Sequence, residues 1–158
     1  MIIQDYAAYN VWANERYVTW LQGASEEMFR KEMESSFNSL FKTVEHLWNA
    51  EHGWLNTLKS EAWGTPPGVG FEGSSEELMQ GWLSSSYALQ EWVSQRKESD
   101  LKAEYFRAEG KRIGTAEEIL LHVFNHATYH RGQLITLGRQ LGLTQPPRAD
   151  YIYYIQER

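Results

Sequence analysis

A chain of 158 residues with 42% hydrophobic and 23% charged residues fits one globular domain that buries its own core. The net charge of −6 argues against general nucleic-acid binding, and no Lys/Arg run suits an anionic membrane surface. The absence of cysteine excludes disulfides, thiolate-ligated zinc and a cysteine nucleophile. No segment has the apolar length of a membrane span, and no basic-then-apolar stretch suggests a secretory signal at the N-terminus. The expected compartment is the cytoplasm.

The first helix is expected over about Ile2 to Gln22, stopping at Gly23, a favoured residue just past a helix end. Ser25, with Glu26 and Glu27 behind it, caps a short helical turn. A second long helix is expected from about Ser36 to Ser60. The Pro/Gly-rich stretch from Trp63 to Gly70 then breaks it. Ser74 or Ser75, followed by Glu76 and Glu77, caps a third helix reaching about Glu98. Between 99 and 114, Tyr105-Phe106-Arg107 and Glu109-Gly110-Lys111 suggest a short hairpin. Thr115 caps the fourth helix, with Glu117 and Glu118 near its positive end. That helix runs to about Leu141, and Pro146-Pro147 precede a Tyr-rich tail in which Tyr151, Tyr153 and Tyr154 are expected to pack back on the bundle.

Four amphipathic helices without long strands predict an all-α domain, most simply a four-helix bundle. Stretched out, the 61–73 connection reaches roughly 40 Å, enough to return along a 25-residue helix and leave helices 2 and 3 parallel.

Helical geometry sorts the five histidines. On helix 2, Phe37, Leu40, Phe41, Val44, Leu47, Trp48, Leu55 and Leu58 form an apolar stripe. Lys42, Glu45, Asn49, His52, Asn56 and Lys59 form a polar one, so His52 reads as solvated. His46 falls in neither. It shares a stripe with Ser39, Thr43, Ala50, Gly53 and Thr57, and a large ring among small neighbours suits a ligand facing a cavity. On helix 4, His130 lies in the apolar face and His126 at its edge, one turn apart, the spacing by which two imidazoles share a metal. Spacing alone also allows His122 with His126, although His122 lies towards the polar side beside Gln133 and Gln140. A histidine on an apolar face is also often a hydrogen-bonded core residue. For Tyr6, Tyr9, Trp12 and Trp48, core packing is favoured over lining a pocket. Asn125 and Arg131 read either as partners that orient the ligands or as surface residues.

Four segments in order carry a resemblance: Tyr9–Arg16, Ser36–Leu40, His46–Leu55 and Asn125–Leu134 (Asn-His-Ala-Thr-Tyr-His-Arg-Gly-Gln-Leu), followed by Pro146-Pro147 and Asp150-Tyr151. The chain resembles the DinB family, the DinB/YfiT-like metalloenzymes, over nearly its whole length. The resemblance implies a four-helix bundle with a long crossover between helices 2 and 3. It also implies a divalent metal site, zinc or nickel, on His46, His126 and His130, the three residues that the helix faces select. Some relatives in this fold group are thiol-dependent S-transferases, so a low-molecular-weight thiol and a small electrophile are the expected partners, and a homodimer the expected assembly. Three neutral imidazoles leave an open coordination position, which suits catalysis. A metal-hydroxide hydrolase is a close variant. The alternatives are a non-catalytic metal-binding or stress-induced protein and a metal-free helical interaction module. No carboxylate shares the histidine faces at helical spacing, so no general base is evident.

Overall fold

The computed structural model describes all 158 residues, in the order α1 (Ile2–Leu21), α2 (Glu26–Arg30), α3 (Leu40–Leu58), α4 (Ser75–Ser94), α5 (Glu98–Leu101), β1 (Glu104–Phe106), β2 (Arg112–Thr115), α6 (Ala116–Gln140) and α7 (Tyr151–Glu157). The four long helices form a closed ring in which α1 and α3 each pack against both α4 and α6. Their directions follow from residues that meet. Trp48 lies against Gly81, and Glu51 bonds Ser86, so α3 and α4 run parallel. His46 meets His126 while Trp54 meets His122, so α3 and α6 are antiparallel. Parallel neighbours joined in sequence need a crossover, and residues 59–74 supply it. Trp63 packs on Gly53, Gly68 N–H donates to Asn49 Oδ1 (2.7 Å), and Phe71 reaches Trp48, so the connection retraces α3 towards its start. A Cβ at Gly53 would lie 2.2 Å from the Trp63 ring, so this seat requires glycine.

The helix starts follow side-chain chemistry. Ser74 with Glu77 and Thr115 with Glu118 make capping boxes on α4 and α6. The expected start of helix 2 at Ser36 is corrected: α3 starts at Leu40, because the extended Ser39 accepts Lys42 N–H on its Oγ (3.0 Å). Ser36 to Asn38 lie outside the helix, and Phe37 is released from the helical stripe. α4 stops at Ser94, short of Glu98, and the next residues form the separate turn α5. The hairpin is present, β1 pairing antiparallel with β2. The tail is not merely apposed but helical, and Tyr151 of α7 stacks on Tyr6 (4.5 Å between centroids).

The core divides into two apolar clusters. One contains Leu21, Phe29, Leu47 and Trp82; the other contains Ile3, Leu55, Leu89 and Phe124. Beside them is a buried polar layer drawn from all four long helices. Asn10 and Asn14 amides donate to Glu51 Oε1 (2.9 and 3.2 Å), and Ser86 Oγ donates to Glu51 Oε2 (2.5 Å). Arg131 Nη1 donates to the Asn10 and Asn14 carbonyls (2.8 Å each). Glu51 and Arg131 are 1% and 2% exposed, so two asparagines bridge a buried carboxyl and a buried guanidinium. Burial raises the Glu51 pKa, opposed by its hydrogen bonds and by Arg131.

Removing one member of such a layer strands the others without water. Glu51→Ala is expected to lower the unfolding free energy by about 3 kcal/mol, and Glu51→Gln by less than half of that, because the amide retains an acceptor oxygen. Urea unfolding measures both; an alanine variant as stable as the parent would refute the role given to the layer.

Candidate metal centre

His46 reaches the site from α3, and His126 and His130 from successive turns of α6. Their Nε2 atoms converge: His46 to His126 is 3.0 Å and His126 to His130 is 3.0 Å. The three ligand nitrogens lie within 4.8 Å of one another and together could hold a metal ion. Hydrogen bonding among themselves cannot satisfy them. A neutral imidazole nitrogen carries either one hydrogen or one lone pair, so His126 Nε2 cannot donate to one neighbour while accepting from the other. A cation accepts all three lone pairs. Nitrogens about 2.0–2.1 Å from one tetrahedral ion are spaced by about 3.3 Å, close to the distances found.

A partner outside the cluster fixes one tautomer. His130 Nδ1–H donates to Gln133 Oε1 (2.7 Å), and the Gln133 amide nitrogen donates to Ser36 Oγ (3.1 Å), which orients the amide. Nε2 of His130 is thereby left with its lone pair towards the cluster. Phe37, freed by the late start of α3, stacks on His46 (4.1 Å, 21°) and meets His130 edge-on (5.4 Å). Burial lowers the pKa of His46 and His126 to about 4, helped by the neighbouring imidazoles, and burial also lowers that of His130. Neutral rings at pH 7 are the form that ligates a metal.

The other candidates separate clearly. His122 is exposed, 5.7 Å from the His126 ring, and its neighbour on the far side is Trp54 (5.1 Å). His52 is half-buried, with Nε2 3.2 Å from the Asn56 amide. Asn125 is exposed, whereas Arg131 is buried in the polar layer. Gln133 was read only as a marker of the polar face; its position three residues after His130 was the available signal. Phe37 was hidden by its fit to a helical stripe that begins too early. No carboxylate joins the histidine cluster.

Beyond His122, Trp54, Thr57, Trp63, Tyr105, Phe106 and Ile113 line a cavity of about 1110 Å³ between α3, the crossover and the hairpin. Trp63 and Phe106 are exposed to it as large aromatic surfaces.

The sequence pattern of the DinB family matches residues 2–158. The chain belongs to the DinB family. It is 27% identical over 157 residues to "Protein DinB" of Bacillus subtilis strain 168, an alignment covering 93% of this chain and 90% of that protein. The fold is also that of two solved DinB-like proteins. One, from Bacillus subtilis, has a TM-score of 0.71 at 19% identity, with 92% of this chain and 96% of the other covered. The second, from Bacillus cereus ATCC 10987, has a TM-score of 0.66 at 22% identity, with 86% and 90% covered. No helix of this DinB-family chain is long and apolar enough to cross a membrane.

Two outcomes follow from the histidine environment. Gln133→Ala is expected to weaken binding of an added divalent metal ion roughly 10- to 100-fold with little change in fold, read by competition with a chromogenic chelator. The second concerns the metal-free protein. An unfolded histidine titrates near its ordinary value of about 6.5, but folded His46 and His126 titrate at about 4. Between those values the unfolded chain binds more protons, so these residues make stability fall as pH drops from about 6.5 towards 4. Glu51, with its raised pKa, acts in the opposite sense, costing stability as pH rises above its ordinary range. Urea midpoints of the parent and of the His46→Ala/His126→Ala double variant, compared across this window, cancel the Glu51 contribution. The parent should show the steeper loss; equal slopes would contradict the assignment.

Proposed function

We propose that this DinB-family protein is a cytoplasmic metal-dependent S-transferase. It joins a low-molecular-weight thiol to a small electrophile that carries an apolar or aromatic group. The observation that carries the reading is the convergence of three imidazole Nε2 atoms with no carboxylate among them, beside an aromatic-lined cavity. His46, His126 and His130 would hold zinc or nickel, both suited to imidazole. When bound, such an ion supplies Lewis acidity that favours thiolate over thiol. The histidines contribute neutral donors, Gln133 holds His130 in the ligating tautomer, and Phe37 shields one side from water. Trp54 and Trp63 would seat the apolar part of the electrophile. His122, whose ring lies between those of His126 and Trp54, would take the thiol proton. The sulfur–carbon bond forms from the sulfur lone pair as the leaving group departs with its bonding electrons.

The absence of cysteine accords with a sulfur borrowed from a small thiol. The lack of a carboxylate base favours, as the second reading, a protein that binds metal without turnover. A homodimer is proposed through the face on which Ile2 and Leu121 expose apolar side chains around a common hollow.

Elemental analysis of untagged protein tests the site first. About one zinc or nickel per chain is expected, lost in His46→Ala, His126→Ala and His130→Ala and kept in His52→Ala and His122→Ala. Saturable thiol transfer that disappears on chelation would establish the enzyme. Trp54→Ala should then raise KM for an aromatic electrophile while metal content is unchanged. Metal without turnover leaves the non-catalytic reading; no metal after reconstitution removes both.

A further inference from the structure

α6 lines a second cavity on the side away from the histidines. The ring positions of Thr128, Arg131, Ile135 and Arg139 lie roughly opposite those of His126 and His130, at 100° per residue. They face a cavity of about 440 Å³ closed by α1 and by the Pro146–Asp150 segment. That segment is anchored: the Tyr9 hydroxyl donates to Ala149 O (2.9 Å), and Trp20 Nε1 donates to Thr144 O (2.8 Å). The volume lies within the range of small-molecule sites, about 300–1,000 Å³.

The lining is cationic in a chain of net charge −6. Arg131, Arg139 and Arg148 contribute three guanidinium groups, and Asp150 is the one acid. None of the three arginines forms an ion pair with Asp150 or with any other carboxylate. Arg131 matters most because it is 2% exposed. Its hydrogen bonds go to neutral oxygens only: Asn10 Oδ1, Asn14 Oδ1 and Thr128 Oγ1. Five N–H donors are available on a guanidinium. These three bonds leave Nε–H and one Nη2–H without a protein partner. Glu51 is reached only through the two asparagines. Tyr17, 4% exposed, likewise has a hydroxyl with no hydrogen-bond partner in the protein. Trp82 Nε1 is the one side-chain polar atom both sealed from solvent and unbonded, so the free Arg131 Nε and the Tyr17 hydroxyl are open to the cavity they line.

Glu51 acts on this guanidinium only across the two asparagines, so the spare donors that face the cavity have no carboxylate in contact with them. We propose that this cavity binds a small-molecule oxyanion, a carboxylate or a phosphate group. Arg131 and the Tyr17 hydroxyl form its floor, and Arg139 and Arg148 its rim. Arg148 already lies over the Tyr153 ring (4.0 Å) and donates to its hydroxyl (2.5 Å), which places its charge at the mouth. The site is separate from the histidine cluster and does not rest on the metal-dependent reading.

Isothermal titration of the whole 158-residue chain, as purified, with inorganic phosphate and with succinate, at ionic strength held constant with chloride, tests the proposal. Saturable binding of at least one of them is expected, and the better binder identifies the headgroup. Arg139→Ala/Arg148→Ala, a pair of exposed substitutions, should weaken binding roughly tenfold or more. Tyr17→Phe should weaken it with the fold intact, as judged by circular dichroism. His126→Ala should leave it unchanged. The proposal is overturned if neither anion binds saturably. It is equally overturned if binding is lost in His126→Ala and untouched by the arginine pair, which would place the anion at the metal.

Discussion

The Glu51–Asn10–Asn14–Arg131 layer constrains the bundle more than any apolar contact does. Leucine and phenylalanine faces tolerate small rotations, because dispersion and area burial have little direction. Hydrogen bonds between buried groups do not tolerate them. Each long helix contributes to this layer, with Asn10 and Asn14 from α1, Glu51 from α3, Ser86 from α4 and Arg131 from α6. Two buried ionisable groups carry a large desolvation cost, and an apolar layer of the same volume could be the more stable. We read the layer as a device that sets rotation and register. Once Arg131 points at the two asparagines, the rotation of α6 is fixed and His130, its neighbour in sequence, is turned towards α3. Once Glu51 points inward, His46 lies on the side of α3 that meets α6.

The small residues that accompany His46 on α3 have separate uses. Thr43 is buried and its hydroxyl donates to Ser39 O (2.8 Å), closing the first turn below the histidine. Gly53 provides the seat for Trp63. The same stripe therefore makes room for an imidazole at one level and for the crossover indole at another. The crossover also shapes the aromatic cavity, since it brings Trp63 to Trp54 (5.4 Å) beside the hairpin. Parallel α3 and α4 require a long connection, and that connection is put to use as a wall.

The sequence made the long helices and the three histidines legible for one reason: both are periodic signals. The apolar stripes located the helices to within a few residues; four-residue spacing left both His122/His126 and His126/His130 open, and the helix faces favoured His126, His130 and His46. The pattern failed where a residue's role depends on a partner from another element. Phe37 fits the helical period, but Ser39 caps the helix after it, and a cap outweighs a period at a helix end. Glu51 is a glutamate beside a polar stripe, and its burial is set by two asparagines 37 and 41 residues away. Gln133 looks solvated on a helical wheel, yet it bonds both His130 and Ser36, the latter 97 residues away from it. Periodicity reports which side of a helix meets water; it does not name what the other side meets.

Residues 130 and 131 carry this distinction to its sharpest point. Adjacent positions on a helix differ by about 100°, so two neighbouring side chains must serve different surroundings. His130 is turned into a group of neutral nitrogens whose lone pairs call for a cation. Arg131 is turned into a layer of neutral oxygens and an open cavity, and its permanent charge calls for an anion. Exchanging these demands would fail on both sides. A guanidinium among the imidazoles would repel the ion they converge on, and an imidazole beneath the Pro146–Asp150 segment would lose the donors that hold Asn10 and Asn14. The helix backbone lies between the two environments and keeps the opposed charges apart. One rotation of α6, set by the buried layer, satisfies both at once.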